Sequence, residues 1–371
     1  MMSEATYIPH FTISRQHQKL RCALDDAYDR VLSKNWFVLG EEVKAFEKEF
    51  GEYLGVKHCI GCGNGTDALE LSLRAAGIKT GDEVVVPANT WVSVAESVIN
   101  VGASPVFADA LPGEYTIDPA SVQRCISKTT KAIIVVHQYG QPAHLNELLE
   151  IRDAHKLVLI EDCAHAHGAV YQGKNVGTSG DFGCFSFYPT KNLGCLGDGG
   201  AVVTDNDEYA SSVRLLGNHG QHTRNVHKVA GRNSRLHELQ AAFLRSKLPM
   251  LDQWNTRRRS IATHYMHGLD RSMYRLPSMG DPDYAVFHQY VIQTDDRENL
   301  IRHLDRAGVG AAIHYPALIN EIFPYQSFRT DPEGLLVGSS EKSSILSLPM
   351  FPELADDEVQ KVIHTLNNFR G

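Results

Sequence analysis

The chain has 371 residues, 43% hydrophobic and 22% charged, with a formal net charge of -8 and an isoelectric point near 6.1. That is the balance of a globular protein long enough for one large domain and a smaller one, and it argues against a nucleic-acid partner, which needs a basic face. The longest cationic run, Arg257-Arg258-Arg259, reads as a solvated helix face.

No stretch from Met1 to Phe11 has the basic start and apolar core of a signal peptide, and no segment has the uninterrupted apolar length of a membrane span, so a cytoplasmic location is expected. Seven scattered cysteines point to reduced thiols. Cys59 and Cys62 form one isolated CxxC with no second pair for a zinc ribbon, and they read as structural.

In chain order, the first amphipathic stretches predict helices over Gln16–Ser33 and Glu41–Leu54. Short apolar runs bounded by turn residues then alternate with amphipathic stretches, the pattern of a sheet covered by helices. Strands are predicted at Lys57–Gly61, Glu83–Pro87, Ser104–Ala108, Ala132–Val136, Leu157–Glu161, Cys184–Phe187 and Ala201–Thr204. The helices between them are predicted at Thr66–Ala76, Val92–Val101, Leu145–His155 and Asp207–Leu216. Runs such as Ile133-Ile134-Val135-Val136 are apolar without alternation, so both faces of this sheet are expected to be covered, as in parallel sheets. Beyond Met250 the texture changes to a long polar helix at Asp252–Leu269, a strand at Tyr290–Thr294 and helices at Arg297–Ala307 and Asp356–Phe369. Pro282, Pro316, Pro332, Pro349 and Pro352 punctuate the loops there. The expected organisation is a large α/β domain over residues 1–250 and a smaller α+β domain over 251–371.

Lys191 lies in the run Ser186-Phe187-Tyr188-Pro189-Thr190-Lys191-Asn192-Leu193-Gly194, between an apolar strand and the turn Gly197-Asp198-Gly199-Gly200. Withdrawal from water lowers the cost of a neutral amine, so it reads as an imine-forming lysine, where an isolated lysine would read as a solvated surface group. Upstream, Gly61-Cys62-Gly63-Asn64-Gly65-Thr66-Asp67-Ala68-Leu69 passes from a strand through glycines into a helix. A phosphate fits there on the amides of Gly65, Thr66 and Asp67 and on the Thr66 hydroxyl; the bland reading is a capped turn. It is not a Walker loop, because no lysine follows the glycines.

The segment Leu159-Ile160-Glu161-Asp162-Cys163-Ala164-His165-Ala166-His167-Gly168 puts Asp162 at the C-terminal end of a parallel strand, where α/β sheets bind ligands. Asp162 suits a protonated ring nitrogen and His165 a ring substituent. Asp162, His165 and His167 also have the chemistry of a metal cluster, and His167 equally suits a satisfied core position. Trp91, after Pro87-Ala88-Asn89-Thr90, either stacks on a pyridine ring or fills the core. Phosphate cradle, strand-end acid, Ser186 and Lys191 follow one another in the order expected of a pyridoxal 5′-phosphate site, and that one cofactor accounts for all of them.

These blocks, with Asn35-Trp36-Phe37-Val38-Leu39-Gly40, Gly231-Arg232-Asn233-Ser234-Arg235-Leu236 and His314-Tyr315-Pro316, resemble the DegT/DnrJ/EryC1/StrS family of sugar aminotransferases nearly end to end. The resemblance implies fold type I of the pyridoxal-phosphate enzymes, with a large, mostly parallel seven-stranded α/β/α domain and a smaller α+β C-terminal domain. It implies that Lys191 is the imine lysine, Asp162 the partner of the ring nitrogen, His165 the contact to the ring hydroxyl and Trp91 the stacking residue. Gly65, Thr66 and Ser186 match phosphate contacts. Asn233 matches an asparagine that reaches the phosphate from the other subunit, which implies a homodimer with shared active sites.

A dehydratase branch of the family carries histidine where Lys191 stands, so lysine argues for transamination. The run Lys191-Asn192-Leu193-Gly194, followed by Gly197-Asp198-Gly199-Gly200, resembles the branch that aminates C3 of the sugar; members acting at C4 more often carry glutamate at the position of Asp198. The implied substrates are L-glutamate and a nucleotide-linked ketosugar, with pyridoxamine 5′-phosphate formed between the two halves of the cycle. Phe187-Tyr188-Pro189 favours a dTDP-3-keto-6-deoxyhexose, and a UDP-linked 3-keto-N-acetyl uronic acid is the alternative. His219, His314 and Tyr315 are expected at the sugar and nucleotide pocket, and Arg235 at a diphosphate, a dimer contact or a structural ion pair. Two rivals from other classes are a metal-dependent hydrolase built on Asp162 and His165, and a regulator on the same fold, which would need a DNA-binding segment that Met1–Arg15 is too short and too little basic to supply.

Overall fold

The computed structural model describes residues 7–278 and 285–370, and Pro282 lies outside them. Along the chain the first strands are β1 (His58–Cys62), β2 (Glu83–Pro87), β3 (Ser104–Ala108), β4 (Thr130–Val136) and β5 (Val158–Asp162). A short hairpin, β6 (Val170–Tyr171) and β7 (Lys174–Asn175), precedes β8 (Phe182–Ser186) and β9 (Gly200–Thr204). Seven of these form one sheet in the order β1-β9-β8-β5-β4-β2-β3. The run from β8 to β3 is parallel, and β9 lies antiparallel to both of its neighbours.

The apolar run of β4 covers both faces, as expected. Ala132, Ile134 and Val136 pack into one hydrophobic cluster and Ile133 and Val135 into another. Each of the buried isoleucine and valine side chains stabilises the sheet by about 1.5–3 kcal/mol. Cys59 and Cys62, three positions apart on β1, fall into clusters on opposite faces, and all seven thiols are free.

Three observed strands are displaced from their predicted positions in a way that matters for the site. β1 and β5 each run one residue later than predicted, β5 being Val158–Asp162 rather than Leu157–Glu161, and β8 is Phe182–Ser186 rather than Cys184–Phe187. Asp162 and Ser186 are therefore the last residues of neighbouring parallel strands, with Asp162 paired to Cys184. The predicted helix over Gln16–Ser33 is interrupted at Leu20, giving Ser14–Lys19 and Arg21–Lys34.

After β9 come a small hairpin, β10 (Gln221–Thr223) with β11 (Val226–His227), and a helix at Glu238–Lys247 that the periodicity did not reveal. The helix Leu251–Gly268 is polar on one side only: Leu251, Trp254, Asn255, Arg258, Ile261, Ala262 and Tyr265 recur at three- and four-residue spacing and are buried. This overturns the reading of the arginine triplet as a solvated face. Arg258 is 2% exposed and donates to the carbonyls of Phe287 and Met350, each at 3.1 Å, and burial pulls its pKa down to about 10.

The C-terminal part holds a two-stranded antiparallel sheet of β12 (Tyr290–Gln293) and β13 (Ile345–Leu348). Around it lies a separate core in which Tyr265, Tyr290, Leu346, Phe351 and Leu366 join Ile8 from the N-terminal end. Among the described residues no helix is long and apolar enough to cross a membrane.

Candidate active site

The C-terminal ends of β5 and β8, the N-terminus of the helix Gly65–Ala75 and the loop after β2 meet at a cleft of about 740 Å³. Gly65, Thr66, Trp91, Asp162, His165, Ser186 and Lys191 all line it, and so do His314 and Tyr315. At the helix start, the Asn64 side chain accepts the Asp67 amide at 2.8 Å. The Asp67 amide is thus spent on the cap, contrary to the expectation that it is open to a ligand, and the amides of Gly65 and Thr66 remain at the positive end of the helix. A Cβ on Gly65 would stand 2.7 Å from Ser186 Cβ, so only glycine lets the helix start this close to the end of β8.

Asp162 is 6% exposed, and its Oδ1 accepts the Ala164 amide at 2.9 Å. Burial pushes its carboxyl pKa up, opposed by that hydrogen bond and by the Lys191 charge. Lys191 keeps an open side toward the cleft, yet burial of its amine dominates and lowers the pKa to about 8, with the Asp162 carboxylate pulling the other way. His165 is held neutral chiefly by burial, and its Nδ1 is buried without a partner.

His167 lies in the core against Phe185 and Phe187, at ring distances of 5.5 and 5.7 Å. It is thus a core histidine, as one reading expects, but not a satisfied one, because neither of its nitrogens has a hydrogen-bond partner. Asp162, His165 and His167 do not assemble as a metal cluster. Among the described residues the donors that come together are His137, Glu161 and Cys163. These are already committed: Glu161 accepts His137 Nε2 at 3.0 Å and the amides of Gly177, Ser179 and Gly180, while His137 Nδ1 accepts the Ala143 amide at 3.1 Å. That imidazole has no lone pair left for an ion.

Trp91 is 55% exposed, with its ring 5.5 Å from that of Tyr315, so it is not a core residue. His219 and Asn233 are exposed and do not reach the Lys191 cleft of their own chain. Arg235 lines a different cleft, of about 670 Å³, and its partner is the neutral Asn218 amide oxygen at 2.9 Å rather than a carboxylate. Sequence reasoning did not assign Tyr188, Thr190, Arg232, His288 and Gln289, which also line the Lys191 cleft. Arg232 stood beside Asn233 in a block already singled out; it pairs with Asp67 at 2.7 Å and with Glu70. His288 had no local signal, because only folding of the C-terminal part brings it here.

The residues fit a phosphorylated pyridine. Free amides and two hydroxyls stand at one end of the cleft, a buried carboxylate and an unpartnered imidazole nitrogen at its floor, and an indole face at its side.

A model of the DegT/DnrJ/EryC1/StrS aminotransferase family matches residues 19–367. The chain is 43% identical to the erythromycin biosynthesis sensory transduction protein EryC1 of Saccharopolyspora erythraea, over 97% of this chain and 98% of that one. It is 39% identical to a dTDP-3-amino-3,4,6-trideoxy-alpha-D-glucose transaminase of Streptomyces venezuelae, over 99% and 97%. It is 40% identical to a UDP-N-acetyl-3-dehydro-alpha-D-glucosamine 3-aminotransferase of Acidithiobacillus ferrooxidans, over 97% of each. The crystal structure of S. venezuelae DesV in complex with a ketimine intermediate superposes with a TM-score of 0.94 at 39% identity, covering 98% of both chains.

Proposed function

This chain belongs to the DegT/DnrJ/EryC1/StrS aminotransferase family, and from that premise we propose that it moves an amino group from L-glutamate to the C3 keto group of a nucleotide-linked sugar, a dTDP-3-keto-6-deoxyhexose, using pyridoxal 5′-phosphate in the Lys191 cleft. The observation that carries this reading is the convergence of Lys191, Asp162, Ser186 and the Gly65-Thr66 amides on one cleft. Likeness to the S. venezuelae transaminase supports a dTDP sugar. Likeness to the A. ferrooxidans enzyme supports a UDP-linked 3-ketosugar as the second reading. Both relatives are named for amination at C3.

When bound, pyridoxal phosphate supplies an aldehyde for an amine and a ring that accepts electrons as a proton leaves the amino donor. The chain supplies the rest. The Gly65 and Thr66 amides, with the Thr66 and Ser186 hydroxyls, hold the phosphate at a helix N-terminus. Asp162 keeps a proton on the ring nitrogen by charge pairing in a site shielded from water. His165 would meet the ring hydroxyl, and Trp91 would offer its indole face to the ring. Lys191 takes a proton at Nζ from the α-carbon of the donor and returns it to a second carbon; with its pKa near 8 a fraction of the amine is already neutral at physiological pH.

The working unit in this reading is a homodimer with Asn233 reaching the partner's phosphate, and residues 251–371 act as a small domain that brings His314 and Tyr315 over the cleft. The exposure of Trp36 at 63%, Phe37 at 44% and Leu39 at 42% supports a further covering surface. The test is to load the protein with pyridoxal phosphate and glutamate, offer dTDP- and UDP-linked 3- and 4-ketosugars, and identify the product by mass and NMR. A 3-amino dTDP sugar is expected. A 3-amino UDP product selects the second reading, and 4-amino products alone overturn both.

A further inference from the structure

A second histidine stands against His165. His288 is 4% exposed and lies in the bend that precedes β12, in a segment whose backbone is pinned to the loop after β4. There the Val286 amide donates to the Gly140 carbonyl at 2.9 Å and the Gln289 amide to Tyr139 at 3.3 Å. The His288 and His165 rings stack with centroids 4.5 Å apart and planes inclined at 27°, and both line the cleft with Lys191.

The hydrogen bonds behind His288 decide which of its nitrogens carries the proton. The His167 carbonyl only accepts, so the Asn255 atom 2.8 Å from it is the amide nitrogen, and the Asn255 oxygen faces Asn192. Asn192 must then present its own nitrogen, which donates to Asn255 Oδ1 at 3.0 Å and to the Val286 carbonyl at 3.1 Å. Both amide hydrogens are spent. What remains is the Asn192 oxygen, 3.1 Å from His288 Nδ1, and that oxygen needs a donor. His288 is therefore the Nδ1–H tautomer, with Nε2 an acceptor. Burial, followed by the neighbouring His165, Lys191, Arg258 and His314, pushes its pKa well below the ordinary value, so the ring stays neutral.

Resting on the pyridoxal-phosphate reading above, we propose that His288 is a positioning residue for the amine chemistry of Lys191: it fixes the plane of His165 by stacking and, locked by the Asn255–Asn192 chain, offers the cleft a nitrogen that accepts hydrogen bonds and never donates one. Asn192, the residue directly after Lys191, ties this tautomer to the reacting amine. An acceptor at this place favours the protonated form of nitrogen in the cleft, and a donor would oppose it.

The test uses the full chain loaded with pyridoxal phosphate, titrating the absorbance of the lysine-bound cofactor against pH in the wild type, His288→Phe, His288→Gln and Asn192→Ala. Pyridoxamine phosphate affinity and the glutamate half-reaction rate are measured on each. Phenylalanine keeps a stacked ring without the acceptor, glutamine restores an acceptor, and Asn192→Ala frees the tautomer. His288→Phe should lower the titration midpoint by about one pH unit and the half-reaction rate about tenfold. Pyridoxamine phosphate affinity should stay within about threefold, Asn192→Ala should give a smaller change of the same sign, and His288→Gln should recover the midpoint. An unchanged midpoint in His288→Phe, no recovery in His288→Gln, or a rate loss matched by an equal loss of pyridoxamine phosphate affinity overturns the proposal. Failure of the wild type to take up pyridoxal phosphate would overturn the site reading itself, which separates the two failures.

Discussion

The Lys191 cleft and the segment Asn218–Arg235 are built in opposite ways. The cleft is made of strand ends and a helix start, with Asp162 and Ser186 exposed by only 6% and 9%. The segment Asn218–Arg235 carries a hairpin of two very short strands, and His219, Asn233 and Val226 are exposed on it. Charge divides the same way. Among the described residues that line the cleft the lysine and arginine side chains are Lys191 and Arg232, and Arg232 is already paired with Asp67 and Glu70. Arg232 is where the segment Asn218–Arg235 reaches the cleft, and Arg224, Lys228 and Arg235 lie elsewhere in that segment. One chain therefore supplies groups for proton and amine chemistry but few free cations for an anionic nucleotide, which is the arrangement expected if a second chain completes the site.

The strongest way to break this comparison is at Lys191. Lys191→Ala should lower amine transfer by at least about 10³-fold and remove the absorbance of the lysine-bound cofactor, because among the described residues no other lysine lines the cleft. Full turnover in that variant would mean that the cleft is not where the chemistry happens.

Asp162 comes next. Asp162→Asn should slow the glutamate half-reaction about 10²-fold, since a neutral amide cannot hold a charged ring nitrogen. The pH dependence of cofactor capture sharpens this. Only the neutral amine attacks, so in the wild type the capture rate should rise with pH and level off above about 8. The Asp162 carboxylate raises the lysine pKa against the larger effect of burial. Its removal should move the levelling point to lower pH, and stopped-flow absorbance over a pH series reads the direction.

How much of this was legible depended on whether a residue's role is set by its neighbours in sequence or by distant ones. Asp162 follows an apolar run and Lys191 lies between such a run and a glycine-rich turn, patterns that declare them, whereas Ser186 is expected inside its strand and instead closes it. The Asp67 amide was misread although the signal was present, because Asn64-Gly65-Thr66-Asp67 is a helix cap in which the asparagine side chain competes for that donor. Arg258 is hidden by its two arginine neighbours, which suggest a solvated face, whereas the spacing Leu251, Trp254, Arg258, Ile261, Tyr265 places it on the buried side. β13 does not declare itself because Ile345-Leu346-Ser347-Leu348 has little β-branched character, and it is defined by pairing with β12. His137 and His288 carry no local pattern. Each is defined by a partner 24 or 96 positions away.

Mixed dimers test the division between the two regions directly. Lys191→Ala has lost the amine and Asn233→Ala the residue assigned to the partner's phosphate. In an equal mixture of the two refolded together, half of the dimers are mixed, and each of those holds one intact site and one doubly damaged site. Activity should return to about a quarter of the wild-type value per chain, from two parents that are each far lower. Activity no higher than the mean of the parents would show that Asn233 serves its own chain, against its exposed position outside that chain's cleft.

The smallest expected effect is at Trp91, which belongs to the cleft but resembles the other region in being 55% exposed. Only one face of the indole is offered to a bound ring, and Tyr315 stands at its side at 5.5 Å. Trp91→Phe keeps a stacking face of smaller area, so pyridoxal phosphate affinity should fall by about threefold, within the ~0.5–1.5 kcal/mol that aromatic pairs contribute. Trp91→Ala removes the face and should cost more. Equilibrium dialysis measures both, and equal affinities in the two variants would mean that the indole does not stack on the cofactor. Its exposure would then be better explained by a covering partner surface, as for Trp36 and Phe37.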